Sequence, residues 1–90
     1  MTGILGYNAK TDRFGMLVMD LWKIDGFHCG NTLEVWNYDS EEWIEDRIEY
    51  DLERKEWYLV FSQLSGDELE GLKIQVAFAP EVKKQEITKK

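Results

Sequence analysis

The segment Glu42–Phe61 most limits the possible folds, because apolar residues in its first half fall on one parity. Ile44, Ile48 and Tyr50 share that parity, and mostly charged residues occupy the other. A period of two is typical of a half-buried β-strand. The second half, Trp57–Phe61, is aromatic, aliphatic and β-branched, which indicates a strand that is buried on both faces or sharply curved.

The two halves predict a β-hairpin at the centre of a small barrel, with the turn at 52–55. If Asp51 faces Glu56, then Tyr50 lies opposite Trp57 and Ile48 lies opposite Leu59, so that all four apolar residues share one face. A slip by one residue would turn this set over, and the pattern therefore predicts the register.

A helix over Glu41–Lys55 is the alternative, since Ile44, Ile48 and Leu52 are spaced by four residues. However, Trp43 stands where a capping box needs Glu or Gln. Glu45 and Glu49 would also repel each other on one helix face. The strand is therefore the preferred interpretation.

Alternating segments elsewhere predict an all-β domain. Gly15 interrupts the second of them and indicates a bulge or a tight bend. Further strands are predicted at Ile4–Asn8, Arg13–Asp20, Thr32–Tyr38 and Leu72–Phe78. Irregular chain is predicted at Leu21–Gly30 and Ser62–Gly71. The second of these irregular segments contains one tight helical turn around Asp67–Leu69. The fold class is a small SH3-like barrel of five to six antiparallel strands, with an oligonucleotide-binding-type barrel as the second choice and an α+β fold if the helix forms. Residues 1–80 form the domain, and the charged segment 81–90 is predicted to be a flexible tail.

Composition and charge exclude several classes of function. The net charge of −7 argues against a general nucleic-acid binder and against binding to anionic membranes. No apolar run approaches the roughly 20 residues of a membrane helix. The single cysteine and an amino terminus unlike a signal peptide predict a cytoplasmic protein, as a monomer or weak dimer.

The sequence contains few residues that suit catalysis or metal binding. His28–Cys29 is the one pair with reactive side chains, but a structural zinc site needs four ligands. Neighbours on a strand also point to opposite faces, so His28 is badly placed to activate the thiol. Cys29 is therefore predicted to be a small, buried, structural residue. The chain is predicted to be non-catalytic, with no metal and no cofactor.

Charge and aromatic residues suggest a binding surface instead. The segment from Asp39 to Glu56 contains nine acidic and three basic residues, which is −6 of the total charge of −7. Its outward parity places Glu45, Glu49 and Asp51 in a row that suits a basic partner. Solubility alone explains the charges equally well. Trp36, Tyr38 and Trp43 flank one predicted turn and would form an aromatic patch if exposed, although at least one of them is expected in the core.

Several blocks of the sequence resemble a family of small bacterial proteins that is known only as a domain of unknown function. The resemblance runs from about Leu5 to Val76 and implies strands rather than a helix. It also implies a setting on mobile elements and prophages, and a neutral residue such as Thr at position 46, where this chain has Asp46. The blocks are Gly26–Gly30, Leu33–Val35, Trp43, Arg47–Glu49, Trp57–Val60 and Leu69–Leu72.

Two functions follow from these observations. The first is a non-catalytic acidic module that binds a protein with a basic surface, such as a host nucleic-acid-handling or defence protein. The alternative is a nucleic-acid-associated barrel that uses its aromatic residues and its lysines, Lys83, Lys84, Lys89 and Lys90. The acidic body makes that alternative the weaker one, because a lysine-rich tail more often only solubilises the chain.

Overall fold

The structure, a computed structural model, describes residues 1–77. Seven strands and one short 3₁₀ turn make up this part of the chain. They are β1 (Thr2–Asn8), β2 (Arg13–Val18), β3 (Leu21–Ile24), β4 (Thr32–Asn37), β5 (Glu42–Asp51), β6 (Glu56–Leu59), the 3₁₀ turn η1 (Gly66–Leu69) and β7 (Lys73–Gln75). The predicted all-β class is confirmed. The predictions for residues 78–80 and for the tail 81–90 fall outside the described residues.

All seven strands belong to one antiparallel sheet, in the order β3-β2-β1-β7-β4-β5-β6. The short β7 joins two meanders, β1–β3 and β4–β6, because it pairs with β1 on one side and β4 on the other. Over residues 1–77 the sheet does not close into the predicted barrel, and it has one strand more than the predicted maximum. The edge strand β6 is partly covered by the chain that follows it, since the Leu59 N–H donates to the Leu64 carbonyl.

The predicted hairpin register is confirmed by the β5–β6 pairing. Asp51 faces Glu56, Tyr50 faces Trp57, and Ile48 faces Leu59. The helical alternative for 41–55 is wrong, because β5 and its turn occupy this segment. The hairpin forms one edge of the sheet rather than its centre, and the central strand is the three-residue β7.

Three of the turns between strands have the same design. Each begins at an Asn or Asp: Asn8, Asn37 or Asp51. The backbone carbonyl of this residue accepts a hydrogen bond from the N–H four residues later. Its side-chain Oδ1 accepts from N–H groups inside the turn. The fourth residue after it has positive φ in every case: Asp12, Glu41 and Lys55. These side chains replace the glycine signals that usually mark short turns.

Strand β3 lies in a segment that was predicted to be irregular. The β2–β3 turn consists of Met19 and Asp20, which have φ of 54° and 66°. Such a two-residue turn normally carries Asn or Gly, so the sequence gives no hairpin signal. The pairing of β2 with β3 also shifts between Met16 and Leu17, directly after Gly15, which confirms the predicted irregularity there.

A single core joins both halves of the sheet. Every strand contributes to it, and three residues outside the strands complete it: Phe27, Leu69 of η1 and Val76 after β7. Leu5, Met16, Ile48, Leu59, Leu69 and Ile74 are fully buried. Within the described part of the chain, no helix has the length and apolarity to cross a bilayer.

Candidate functional site

The alternation of β4 and β5 divides their side chains between two faces of the sheet. Leu33 and Val35 of β4 face Asp46 and Ile44 of β5 on the side of the core. The residues between them therefore lie on the outer face. There Glu34 is directly opposite Glu45 and Trp36 is directly opposite Trp43.

The aromatic residues predicted to form a patch meet on this outer face. The ring centroids of Trp36 and Trp43 are 5.2 Å apart in an edge-to-face arrangement, and Tyr38 lies 6.4 Å from Trp36. Trp36 and Trp43 are half-buried and Tyr38 is 73% exposed, so none of the three belongs to the core. The expectation that at least one would be a core residue is wrong, because Leu33, Val35 and Ile44 occupy the inner positions of these strands.

Lys73 of β7 completes the aromatic cluster. Its Nζ lies 5.3 Å from the Trp36 ring centroid and 5.9 Å from that of Trp43, which is within the range of a cation–π interaction. Beside it, Gln75 donates a hydrogen bond from Nε2 to Glu34. We call this surface the aromatic–acidic face; its residues are Glu34, Trp36, Tyr38, Trp43, Glu45 and Lys73.

Sequence analysis found four of these six residues and missed Glu34 and Lys73. Both lie in predicted strands, Thr32–Tyr38 and Leu72–Phe78, at positions that alternate with apolar residues. Their proximity to Trp36 and Trp43 depends on β7 pairing with β4, across about forty residues of sequence. Local alternation carries no signal for such a pairing.

The predicted acidic row does not act as one unit. Arg47 lies between Glu45 and Glu49 on the same parity of β5, and its Nε is 2.9 Å from a Glu49 carboxylate oxygen. Asp51 accepts hydrogen bonds from the Glu53 and Arg54 N–H groups and so serves the β5–β6 turn. Glu45 is exposed, and the ion pairs formed within residues 1–77 do not include it.

Asp46 was expected to make the hairpin more acidic, but it is only 5% exposed. Its Oδ1 accepts from the Phe61 N–H at 2.7 Å and from the Arg47 N–H at 2.8 Å, and its Oδ2 accepts from the Ser62 N–H at 3.0 Å. The carboxylate therefore holds the chain after β6 against β5. Its charge is directed inward and adds little to the outer surface.

Phe61 was predicted to extend a buried strand, yet β6 ends at Leu59 and Phe61 is 75% exposed. It lines a groove of about 420 Å³ together with residues of β4, of β5 and of the chain after β6. Apolar and aromatic residues line most of this groove, and the Asp46 carboxylate also lies along it. Besides Phe61, they are Val35, Trp36, Tyr38, Ile44, Leu64 and Leu72.

The remaining reactive side chains, Cys29 and Tyr7, are not among the residues of the aromatic–acidic face. Cys29 is exposed, which contradicts its expected burial, because the loop between β3 and β4 carries it away from the core. No group of three or more metal-ligating residues occurs among residues 1–77. The pKa of Tyr7 on β1 is raised, because its hydroxyl donates a hydrogen bond to the Asp12 carboxylate. That contact belongs to the β1–β2 turn and is remote in sequence from the aromatic–acidic face.

Comparison with known proteins gives a family but no activity. No curated protein is significantly similar to the chain. A crystal structure of a protein from Ruminococcus gnavus is 30% identical in sequence and superimposes with a TM-score of 0.66, covering 84% of this chain and 100% of that one. Residues 3–76 match the family described as Domain of unknown function (DUF5348). The chain belongs to this family, as the resemblance of its sequence blocks implied.

Proposed function

We propose that the protein is a non-catalytic, cytoplasmic module that binds another protein through its aromatic–acidic face. The observation that carries this proposal is the pairing of Trp36 with Trp43 on the outer face, next to the pair Glu34 and Glu45. Aromatic residues that stay outside the core and lie together are typical of the centre of protein interfaces.

The acidic neighbours define the kind of partner. Glu34 and Glu45 face each other directly across two strands, an arrangement that destabilises a sheet. Together with the exposed Asp39 and Glu41 of the β4–β5 turn, they concentrate negative charge at this part of the surface. A partner with a basic surface would be attracted by that charge. The mobile-element setting implied by the resemblance makes a host nucleic-acid-handling or defence protein a suitable partner.

The proposal is tested by capturing partners from a lysate of the native host and identifying them by mass spectrometry. The variant Glu34→Gln/Glu45→Gln removes two charges from the face, and Glu53→Gln/Asp67→Asn removes two charges from exposed positions elsewhere. A partner that uses the face will be captured by the wild type and by the second variant, but weakly by the first. With the purified partner, the first variant will associate more slowly and with a weaker dependence on salt.

Equal capture by all three proteins would contradict the proposal. The alternative, a nucleic-acid-associated protein, predicts a different result. A mixed-sequence oligonucleotide would then bind with an affinity that falls steeply as salt is added, because phosphate contacts release counterions.

A further inference from the structure

The position of Lys73 carries one step beyond the proposed function. Its ammonium group lies over two tryptophan rings, Trp36 and Trp43, rather than in an ion pair. The ion pairs within residues 1–77 are Arg47–Glu49 and Arg54–Glu56, so Lys73 forms none with the nearby Glu34 or Glu45. The two rings therefore hold a cation supplied by the protein itself, while the two carboxylates next to them are in no ion pair within residues 1–77.

The registers of β7, β4 and β5 place these groups side by side. Gln75, Glu34 and Glu45 form one row across the three strands, and the next row contains Trp36 and Trp43, with Lys73 of β7 beside them. Adjacent strands lie about 4.8 Å apart, and residues two apart on a strand are separated by about 7 Å. One extended cationic side chain can therefore reach a ring of the second row and a carboxylate of the first.

We infer that Trp36, Trp43, Glu34 and Glu45 form a receptor for an arginine side chain of the partner, and that Lys73 is an internal occupant that this arginine displaces. The inference rests on the proposed function and names the chemical group that the face recognises. A guanidinium is planar, stacks on an indole and donates two parallel hydrogen bonds to a carboxylate, whereas an ammonium acts as a compact, strongly hydrated charge. Arginine can thus use both rows at once, and it also relieves the repulsion between Glu34 and Glu45.

Lys73 gives the inference a signature that a simple acidic surface lacks. An alkylammonium over half-buried aromatic rings at the surface is held weakly, so a better cation can replace it. The variant Lys73→Met keeps an unbranched apolar side chain on β7 but vacates the cation position. Lys23→Met makes the same change of charge at an exposed position of β3, at the far edge of the sheet.

The test is a titration of the 90-residue chain with N-acetyl-arginine amide, followed through the four tryptophan indole N–H resonances in two-dimensional NMR. The resonances are assigned with single Trp→Phe variants. The resonances of Trp36 and Trp43 will shift, while those of Trp22 on β3 and of the buried Trp57 will not. N-acetyl-lysine amide will bind several-fold more weakly.

The variants then separate the roles. Lys73→Met will bind the arginine probe several-fold more tightly than the wild type, and Lys23→Met will match the wild type apart from a small effect of net charge. Glu34→Gln/Glu45→Gln will weaken binding by about tenfold, as expected for the loss of charge-assisted hydrogen bonds. Glu53→Gln/Asp67→Asn will not.

Three outcomes would overturn the inference: equal shifts of all four indoles, equal affinity for the arginine and lysine probes, or no gain in Lys73→Met over Lys23→Met. None of these decides the proposed function, which depends on capture of a protein partner. Suppose that one of these outcomes is found, and that the wild type captures the partner but Glu34→Gln/Glu45→Gln does not. The face then binds the partner through a group other than an arginine side chain, so the proposed function holds and only the arginine receptor is refuted.

Discussion

Replacing Asp46 is the sharpest test of how the fold is held together, because its one side chain connects β5 to the chain after β6. Three backbone N–H groups donate to it, from Arg47, Phe61 and Ser62. Hydrogen bonds to a charged group contribute about 1.5–3 kcal/mol each to stability. Arg47 is the adjacent residue, so the two bonds from Phe61 and Ser62 represent the tertiary contribution.

Phe61 and Ser62 are exposed, so water can replace part of the lost acceptor, and the lower end of the range applies. We therefore expect Asp46→Ala to lower the free energy of unfolding by about 3 kcal/mol. In a domain of this size that corresponds to a melting temperature lower by about 12–24 °C. Asp46→Asn will lose about half as much, because the amide oxygen still accepts from one N–H while its NH₂ group faces another donor.

The assay is equilibrium urea denaturation followed by far-ultraviolet circular dichroism. Glu45→Ala is the matched control, since it removes a carboxylate from the next residue on the opposite face, and it should change stability by less than about 0.5 kcal/mol. An Asp46→Ala protein within about 1 kcal/mol of the wild type would show that the carboxylate does not anchor the chain after β6.

Three further expectations concern the other parts of the chain. Gly15→Ala will destabilise the domain by about 3 kcal/mol in the same urea assay, because a Cβ there would overlap the Ile24 carbonyl oxygen. A loss of stability below about 1 kcal/mol would contradict this packing. Cys29→Ser will change stability by less than about 0.5 kcal/mol, and the wild-type thiol will react with a thiol reagent in the folded protein, because Cys29 is exposed. The pKa of Tyr7 is raised above 10.0 by its hydrogen bond to Asp12. As the pH rises, Tyr7 therefore ionises in the unfolded state before it ionises in the folded state. The stability that this hydrogen bond contributes is complete below pH 10.0 and is lost as the pH rises through the folded-state pKa. The free energy of unfolding of Tyr7→Phe will therefore fall less than that of the wild type as the pH rises above 10.0. If the free energy of unfolding depends on pH identically in the two proteins, Tyr7 makes no such contribution.

The local features of this fold are well predicted by the sequence, because alternation and register are local properties. The β5–β6 pairing follows from the parity of Ile48, Tyr50, Trp57 and Leu59 alone. The β3 strand was missed because Met19 and Asp20 form a turn that usually contains Asn or Gly. A closed barrel was predicted instead of an open sheet because the arrangement of the strands depends on which strands β7 pairs with. Pairing between segments that are distant in sequence leaves no local pattern.

The candidate site shows the same division between local and long-range information. The aromatic residues Trp36, Tyr38 and Trp43 flank one turn, so their proximity was predictable. Asp46 has the same parity as Ile44, but the sequence analysis counted it only as part of the negative charge of the segment from Asp39 to Glu56. Its backbone partners lie fifteen and sixteen residues away in the chain after β6, and only the folded structure brings them to it.

Neighbouring acidic residues on β5 have opposite effects on stability, and this contrast distinguishes a binding face from a solvated one. Asp46 satisfies backbone donors inside the fold, whereas Glu45 faces Glu34 and is in none of the ion pairs within residues 1–77. Like charges directly opposite on two strands cost about 0.2–1 kcal/mol. We therefore expect Glu34→Gln/Glu45→Gln to raise the free energy of unfolding by a few tenths of a kcal/mol, in the urea assay, while it weakens association with a basic partner. Lower stability in this variant would mean that the carboxylates support the sheet, and the argument that they are kept for binding would fail.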